Sequence, residues 1–305
     1  MLYDVAIIGG GPAGLSAALA LGRARKRVLL LDAGPRRNAA AVHIHNFLTR
    51  DATPPDEFRQ TARTQLARYS NVEARPQDVR SITGERGSFQ LQLSEGSADA
   101  RRILLATGMI DEPLPIDGFR ELWGRAVFQC PYCHGWEVQD RRWACLARTA
   151  DWAHLLPFVI QLRGWSKHVT LFMTEPFELP IAAQQQLAAA QVTLQRSPVR
   201  RLIARGQDLD AVELEDGARI PCDVLFAHPP QKQVALVSAL CVALDGDGFV
   251  QIDPMRRETN IAGVYAAGDL TTRMQGAIFA AAAGTHAAAM INLDLTLELA
   301  AKGEI

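Results

Sequence analysis

The sequence contains few cysteines and almost no net charge. Five cysteines are spread over 305 residues, and the formal net charge is −1. An odd, low number of cysteines does not fit a secreted domain held together by disulfides, so a cysteine pair here is more often catalytic than structural. Because Lys and Arg do not outnumber Asp and Glu, we expect no nucleic-acid partner and no membrane partner.

The sequence also lacks a hydrophobic segment of the kind that targets or crosses a membrane. The N-terminal run Met1–Gly10 has no basic start and ends in glycines, which is not typical of a signal peptide. The Ala-rich run from Ala277 to Ile291 is too short to span a bilayer, and Thr285 and His286 interrupt it. We therefore expect a cytoplasmic protein, long enough for two domains with their own cores.

A glycine-rich turn near the N-terminus lies in the setting of a dinucleotide-binding unit. Val5–Ile8 is predicted to be a buried parallel strand. Leu15–Arg25 is predicted to be a helix, and Arg27–Leu31 a second strand that ends at Asp32, whose carboxylate can accept hydrogen bonds from a ribose. The turn between the first strand and the helix is Gly9-Gly10-Gly11-Pro12-Ala13-Gly14. This order of strand, G-x-G-x-x-G turn, helix, strand and acid predicts a bound dinucleotide.

The positions within this turn have separate physical roles. Gly9 allows the tight turn, Gly11 lets the backbone approach a pyrophosphate, and Gly14 lets the helix pack closely on the strand. The pyrophosphate would rest on the N-terminus of the helix. Pro12 and Ala13, which lie between these glycines, belong to the same predicted site.

A second glycine-containing motif lies near the C-terminus. The segment Ile261–Asp269 is predicted to be a strand that ends in Gly268 and Asp269. Gly268 permits a close backbone approach, and Asp269 can hydrogen-bond a polyol. A long Ala-rich helix then begins near Gly276, and its free N–H groups suit a flavin carbonyl or a phosphate. The residues at its start that we include in the predicted cofactor site are Gln275, Gly276 and Ala277.

The run Cys130-Pro131-Tyr132-Cys133-His134 predicts a redox-active thiol pair. Two cysteines separated by two residues can close a small ring whose disulfide is reducible and exchangeable. His134 has an unperturbed pKa near neutrality, so it can take or give the proton that thiol chemistry needs. Three alternatives remain for this run. A zinc site would need further ligands, the letters also match a c-type haem attachment pattern, and the pair could be merely structural.

Two prolines shortly before the cysteine run predict that the chain crosses there into a second domain. Pro113 and Pro115 break the structure that precedes them. We predict that residues 1–116 and 245–305 form one discontinuous domain, and that residues 117–244 form a domain inserted into it. The inserted domain carries the cysteine pair and repeats the β-α-β plan.

The repeated β-α-β unit lacks the glycine fingerprint of the first. Its turn is Leu146-Ala147-Arg148-Thr149-Ala150-Asp151, which contains no glycine. Side chains in such a turn would crowd a pyrophosphate. The second strand of the unit ends Phe172-Met173-Thr174-Glu175, without the arginines that would hold a 2′-phosphate. The nucleotide site of this domain is therefore predicted to be degenerate, which leaves NADP(H) a doubtful cofactor.

Three motifs in this order resemble those of flavoproteins with two dinucleotide-binding domains. They are Gly9–Gly14, Ala106-Thr107-Gly108 and Gly268-Asp269. With the C-x-x-C run opening the inserted domain, the chain resembles the low-molecular-weight thioredoxin reductases over nearly its whole length. That resemblance implies an α/β fold with two Rossmann-like, three-layer domains, and a homodimer that binds FAD.

The resemblance also implies roles for single residues. Asp269 would meet the ribityl chain, and the amides near Ala277 would meet the flavin ring. Asn46 would lie near the isoalloxazine, and Arg37 and Asn38 near the cofactor. The second cysteine, Cys133, would face the flavin.

The cysteine run narrows the resemblance to one branch. Thioredoxin reductases usually carry an acid after the second cysteine, whereas here His134 follows Cys133. The run is similar to that of the flavin-dependent dithiol oxidases that close disulfides in gliotoxin- and holomycin-type natural products, and His228 falls where that branch often has a histidine. Asn46 departs from that branch, which often has glycine there.

The resemblance implies oxidation of a dithiol by the Cys130–Cys133 pair, with O2 as the final acceptor. A disulfide reductase fed by NADPH or by a protein donor, acting on a thioredoxin-like partner, is the first alternative. A redox-sensing flavoprotein with little turnover is the second.

Overall fold

The computed structural model describes residues 1–149 and 152–303, and the chain folds into two compact units. The first unit comprises Met1–Asp111 and Gln231–Ile305, and the second comprises Glu112–Pro230. Each unit is built on a seven-stranded sheet. The predicted fold class, two α/β dinucleotide-binding domains with the second inserted into the first, is confirmed.

The bounds of the units differ from those that we predicted for the inserted domain, 117–244. Leu114 and Ile116 pack against the core of the second unit, so the chain enters that unit earlier than predicted. Leu236 and Val237 are buried in a core of the first unit, so the chain also returns earlier. The prolines that suggested the crossing break regular structure, but the buried apolar residues decide which core each segment joins.

The N-terminal part of the first unit begins with a buried β-α-β arrangement. Its strands are Leu2–Ile8 (β1), Val28–Leu31 (β2), Val72–Arg75 (β3), Val79–Glu85 (β4), Ser88–Leu93 (β5), Ser97–Leu105 (β6) and Ile110–Asp111 (β7), and its helices are Pro12–Arg23 (α1) and Pro55–Leu66 (α2). Helix α1 begins at Pro12, whose fixed φ and missing N–H suit the first helical position. The sequence did not predict β4, which has only one fully buried residue.

The sheet of the first unit joins a parallel half to an antiparallel half. Its order is β3-β2-β1-β6-β5-β4. β1, β2 and β3 pair in parallel, and β6 continues that pattern beside β1. β4, β5 and β6 form an antiparallel meander. β5 alternates exposed and buried residues because one of its faces is in the core and the other in solvent.

The second unit repeats this plan. Its helices are Phe119–Leu122 (α3), Pro131–His134 (α4), Trp152–Gln161 (α5) and Ile181–Ala189 (α6), and its strands are Val127–Phe128 (β8), Arg142–Ala147 (β9), His168–Met173 (β10), Val192–Arg205 (β11), Asp208–Leu214 (β12), Arg219–Pro221 (β13) and Val224–Phe226 (β14). The sheet order is β13-β12-β11-β10-β9-β14-β8. Asp151 lies outside the described residues, and α5 gives way to a 3-10 turn at Leu162–Gly164.

The chain then returns to the first unit. The remaining elements are Gln231–Lys232 (β15), Ala235–Ala239 (α7), Val264–Ala266 (β16) and Ala277–Ala301 (α8). β15 pairs with β7 to form a two-stranded antiparallel ribbon. β7 is the last strand before the chain leaves this unit, and β15 is the first strand after the chain returns. β16 pairs in parallel with the C-terminal part of β6. The sequence predicted neither β15 nor α7.

Helix α8 is longer than the run that we judged too short to span a bilayer. It continues to Ala301, and within the described residues it is the one helix whose length and composition would allow a membrane crossing. Its residues Ala287, Ile291 and Leu295 are buried in the core beside α1. A Cβ at Gly284 would come within 2.0 Å of the Ala13 carbonyl oxygen, so the two helices pack backbone to backbone. One face of α8 is therefore part of the core of the first unit.

Candidate functional site

The first glycine turn combines a tightly packed base with an open position. A Cβ at Gly9, where φ is +114°, would lie 2.2 Å from the Ala106 carbonyl oxygen. A Cβ at Gly14 would lie 1.9 Å from the Gly9 carbonyl oxygen. At Gly11, by contrast, no described atom lies within 4 Å of the Cβ position. The fold thus requires glycine at two of these positions and leaves room for a ligand above the third.

The three predicted cofactor motifs meet at this turn. Gly268 has a φ of +96°, and a Cβ there would lie 3.0 Å from the Ala13 side chain. The Ala267 N–H donates to the Leu105 carbonyl at 3.0 Å, beside Ala106. The Thr107 hydroxyl is buried and has no hydrogen-bond partner among the described residues. An orphaned buried hydroxyl at this junction fits a polar ligand, because burying such a group without a partner is costly.

Asp32 lies at the end of β2, where the sequence predicts a ribose contact. Its side chain is largely buried and accepts hydrogen bonds from Arg59 and from Arg63, the latter at 2.8 Å. The Gly34 N–H donates to its other oxygen at 3.3 Å. Sequence reasoning missed the two arginines, although their spacing of four residues on α2 places both on one helix face. The carboxylate is therefore held in place from within the unit.

Asp269 belongs to a polar cluster that the sequence did not predict. Arg37 donates to Asp269 at 3.0 Å and, through two nitrogens, to both oxygens of Asp111 at 2.7 Å each. Burial raises the pKa of Asp269, and the Arg37 cation opposes that rise. Burial also acts to lower the pKa of Arg37, but its hydrogen bonds with Asp111 raise it above the usual value. Arg37 therefore holds a carboxylate of the predicted cofactor site.

Other predicted cofactor residues lie at the edges of this region. The Gly276 N–H is hydrogen-bonded to the Asp269 carboxylate, and Ala277 is the first residue of α8. Asn38 and Asn46 are exposed. Asn46 has a φ of 58°, and its N–H donates to Asp51 at 2.8 Å.

The cysteine pair lies at the N-terminus of a single helical turn in the second unit. Cys130 is the residue before α4, and the Cys133 N–H donates to the Cys130 carbonyl at 3.3 Å. Both residues carry thiols and are half-buried. A hydrogen bond from the Cys133 side chain, helped by the N–H groups of Cys133 and Tyr132, overcomes burial and lowers the pKa of Cys130 to about 7. Cys130 can therefore react as a thiolate near neutral pH.

The other cysteines differ from this pair. Burial raises the pKa of Cys145 and of Cys222 to about 12. Cys241 is exposed. Within the described residues, no group of three metal-ligating side chains is arranged to hold a metal ion.

Two histidines lie beside the thiol pair. The His134 ring stacks on Phe128, with ring centroids 4.3 Å apart. The His228 Nε2 lies 3.0 Å from the carbonyl oxygen of Gln129, the residue before Cys130. The His228 ring also packs edge-on against Phe158, with centroids 4.7 Å apart. Aromatic rings that the sequence did not reveal, Phe128 and Phe158, therefore pack against the two imidazoles.

The turn of the second unit that would hold a nucleotide contains side chains instead of glycine. Its described residues end at Thr149, and Ala150 and Asp151 lie outside the described residues. The Thr149 N–H donates to the Glu175 carboxylate at 2.7 Å. Hydrogen bonds from the Thr149 side chain and backbone, with the Arg148 cation nearby, lower the pKa of Glu175. Glu175, which follows β10, thus accepts a hydrogen bond from a backbone N–H group of this turn.

Known proteins resemble the chain over nearly its full length. The sequence profile described as pyridine nucleotide-disulphide oxidoreductase matches residues 3–154 and 158–284. Thioredoxin reductase tcpT of Claviceps purpurea (strain 20.1) is 32% identical over 309 residues, which cover 98% of this chain and 96% of that protein. Thioredoxin reductase sirT of Leptosphaeria maculans is 29% identical over 321 residues, which cover 100% of this chain and 98% of that protein.

Solved structures give the same result for the fold. The crystal structure of HlmI superposes with a TM-score of 0.89 at 32% identity, and covers 99% of this chain and 96% of that one. An oxidoreductase from Agrobacterium tumefaciens superposes with a TM-score of 0.89 at 34% identity, and covers 97% of this chain and 99% of that one.

Proposed function

The chain belongs to the pyridine nucleotide-disulphide oxidoreductase family, and we propose that it is an FAD-dependent dithiol oxidase that passes electrons to O2. Membership of the family confirms the thioredoxin reductase-like oxidoreductase that the motifs predicted. The substrate class that we propose is a small dithiol, which the enzyme converts to a disulfide. We further propose that it acts as a homodimer in the cytoplasm.

FAD is the cofactor that the family implies, and the first unit has residues that fit it. The open position at Gly11 and the N-terminus of α1 suit a pyrophosphate. The orphaned Thr107 hydroxyl and the Asp269 carboxylate are polar groups that a flavin or its ribityl chain can bond. When bound there, FAD supplies a two-electron acceptor that O2 can reoxidise.

The observation that carries the proposal is the closed nucleotide turn of the unit that holds the thiols. Side chains replace glycine in that turn, and Glu175 takes up the Thr149 N–H. A nicotinamide dinucleotide needs its pyrophosphate at this turn, where the side chains that replace glycine would crowd it. Electrons therefore enter through the thiols, from a dithiol substrate.

The first chemical step is an exchange at Cys130. A substrate thiolate attacks the Cys130 sulfur of the enzyme disulfide, the Cys130–Cys133 bond breaks, and Cys133 leaves as a thiolate. His134 takes the proton of the attacking thiol, because it directly follows the pair and its ring is held against Phe128. The product of this step is a mixed disulfide between Cys130 and the substrate.

The second step releases the product and restores the enzyme. The other substrate thiol is deprotonated by one of the two histidines beside the pair, His134 or His228. It then attacks the substrate sulfur of the mixed disulfide, and Cys130 leaves as a thiolate. The low pKa of Cys130, about 7, makes it a good leaving group. The enzyme dithiol left by this step would be returned to the disulfide with the two-electron acceptor that FAD would supply, and O2 would be the final acceptor. The net reaction is dithiol plus O2 to disulfide plus hydrogen peroxide.

An oxygen electrode tests this proposal directly. Purified protein loaded with FAD should consume O2 when dithiothreitol is added, at a rate that NADPH does not change. Hydrogen peroxide should form in equal amount to the O2 consumed. An FAD-loaded protein that consumes no O2 with any dithiol would rule out the oxidase.

A disulfide reductase is the second candidate, because both curated relatives named above are called thioredoxin reductases. It would draw electrons from NADPH or from a protein donor and reduce a thioredoxin-like protein. Anaerobic stopped-flow mixing separates the two. Rapid bleaching of the flavin by NADPH would favour the reductase, whereas bleaching by a dithiol alone favours the oxidase.

A further inference from the structure

Arg37 joins segments of the first unit that are far apart in sequence. Its Nε and Nη2 donate to the two oxygens of Asp111 at 2.7 Å each, and its Nη1 donates to Asp269 at 3.0 Å. The same Nη1 also donates to the Gln275 side chain. Asp111 is the last residue of β7, and Asp269 is the acid of the predicted cofactor site. One guanidinium therefore bridges the cofactor region and a connecting strand.

The second connecting strand is tied into the same cluster. Gln231, the first residue of β15, donates to Asp111 at 2.8 Å. Gln231 and Gln275 also bond each other through their side-chain amides, at 2.9 and 3.1 Å. Gln275 in turn donates to the Asp269 carbonyl at 3.3 Å. These contacts close a ring of side chains, which we call the Arg37 ring: Arg37, Asp111, Gln231, Asp269 and Gln275.

The ribbon that this ring holds is too short to be stable by itself. β7 and β15 have two residues each, and an isolated pair of strands is marginal in water even when it is longer. The bonds from Arg37 to Asp111 are charge-assisted and two-pronged, which makes them stronger and more directional than neutral bonds. We conclude that the ring supplies much of the order of the ribbon.

The charges make Arg37 the central member of the ring. The side chains of Arg37, Asp111 and Asp269 are 21%, 10% and 23% exposed, so water screens them only partly. Without the cation, two carboxylates would face each other in this half-buried place. Removing one member of such a group costs more than the group contributes as a whole, because the remaining charges are left unpaired.

We propose that Arg37 is a positioning residue that couples FAD binding at Asp269 to the pairing of the two connecting strands. FAD that binds the Asp269 carboxylate would restrict the motion of that side chain and, through it, of Arg37. Arg37 in turn holds Asp111 and therefore the ribbon. A ligand that binds the ordered state more tightly than the disordered state stabilises the ordered state. The inference rests on the proposed use of FAD, and it adds a link between the cofactor and the segments that carry the chain into and out of the second unit.

Hydrogen exchange tests the coupling without measuring turnover. The reporting amides are those of residues 110–112 and 231–232, including the Glu112 N–H, which donates to the Pro230 carbonyl at 2.8 Å. In the wild-type protein, adding FAD to the stripped form should slow exchange at these amides on the order of tenfold, within the usual range of coupling between sites. In Arg37→Met, FAD should bind on the order of tenfold more weakly, and saturating FAD should no longer slow exchange there.

Arg36→Met is the matched control. Arg36 is the neighbouring residue, its side chain is similarly exposed at 27%, and it pairs with Asp56 outside the ring. This variant should keep both the FAD affinity and the FAD-dependent protection of the wild type. Gln231→Leu removes three hydrogen bonds of the ring, one to Asp111 and two with Gln275, without removing a charge. It should therefore bind FAD normally while losing part of the protection.

The outcomes separate the coupling from the proposed function. If Arg37→Met saturated with FAD protects the ribbon as the wild type does, the coupling is wrong and the dithiol oxidase stands. The same conclusion follows if the wild type binds FAD and shows no change at these amides. If the wild-type protein cannot bind FAD at all, both the coupling and the proposed function are wrong.

Discussion

The two β-α-β units of the chain connect their strands and helix in the same order, but their turns present different surfaces to a ligand. In the first unit, α1 follows β1 through a turn with three glycines, and the Gly11 position faces open space. In the second unit, the described part of the corresponding turn carries Arg148 and Thr149, and Glu175 accepts the Thr149 N–H. Each turn follows a buried strand that pairs in parallel with the next strand of the unit.

This comparison separates what makes the fold from what makes the site. Both sheets are specified by short apolar strands such as β1 and β9, whose residues are nearly all buried. The nucleotide site depends on a few turn residues, of which Gly11 faces open space, with no described atom near its Cβ position. A unit can therefore keep this fold whether or not its turn suits a dinucleotide, and the second unit also carries the thiol pair.

The largest effect should come from the thiols of the second unit. Cys130→Ser should lower dithiol-dependent O2 uptake roughly a thousandfold or more, because a hydroxyl can neither form the disulfide nor exchange it. FAD content should stay as in the wild type, since the first unit is untouched. Cys241→Ser, which changes an exposed cysteine elsewhere, is the control and should keep full activity. Undiminished turnover in Cys130→Ser would remove the pair from the reaction.

The next effect concerns the open glycine of the first unit. Gly11→Asp should weaken FAD binding about a hundredfold or more, because a carboxylate would face the pyrophosphate and like charges repel strongly at close range. No described atom crowds the Gly11 Cβ position, so the apoprotein should unfold at the wild-type temperature. Thr149→Asp makes the same change in the second turn and should leave FAD binding unaltered. Equal loss of FAD in both variants would contradict the distinction between the turns.

The sequence predicted the chemistry-bearing motifs and missed the residues that hold them. Gly9, Gly11 and Gly14 could be assigned because their roles are local and their spacing is fixed. Arg59, which binds Asp32, and Asp111, which binds Arg37, come from distant segments, and no local pattern marks them. The first strands were predictable for the same local reason, whereas β15 has only two residues and exists because β7 lies beside it.

A smaller effect concerns the environment of Cys130. Its pKa is about 7 chiefly because the Cys133 side chain donates a hydrogen bond to its thiolate. In the reduced protein, alkylation of Cys130 by iodoacetamide should therefore rise through pH 7 and level off above it, since the thiolate is the reactive form. Cys133→Ala removes that donor and should raise the pKa towards the value of a free thiol, near 8.5, which slows alkylation at pH 7 on the order of tenfold. An unchanged profile in Cys133→Ala would show that another group stabilises the thiolate.

The smallest effect should come from opening the second turn. Glu175 is held by Thr149, and Arg148 lies close enough to lower its pKa, so the carboxylate stays charged at neutral pH. Glu175→Ala frees the Thr149 N–H and removes a negative charge from the place where a pyrophosphate would lie. NADPH binding, followed by calorimetry, should improve only severalfold, because the turn still has no glycine to let the pyrophosphate approach.

Glu178→Ala is the control for this variant, since it removes an exposed carboxylate that follows the same strand. It should leave NADPH binding as weak as in the wild type. In Glu175→Ala, the flavin should still be bleached more slowly by NADPH than by a dithiol. Fast bleaching by NADPH in that variant would mean that one carboxylate, rather than the missing glycines, keeps the second unit closed to the nucleotide.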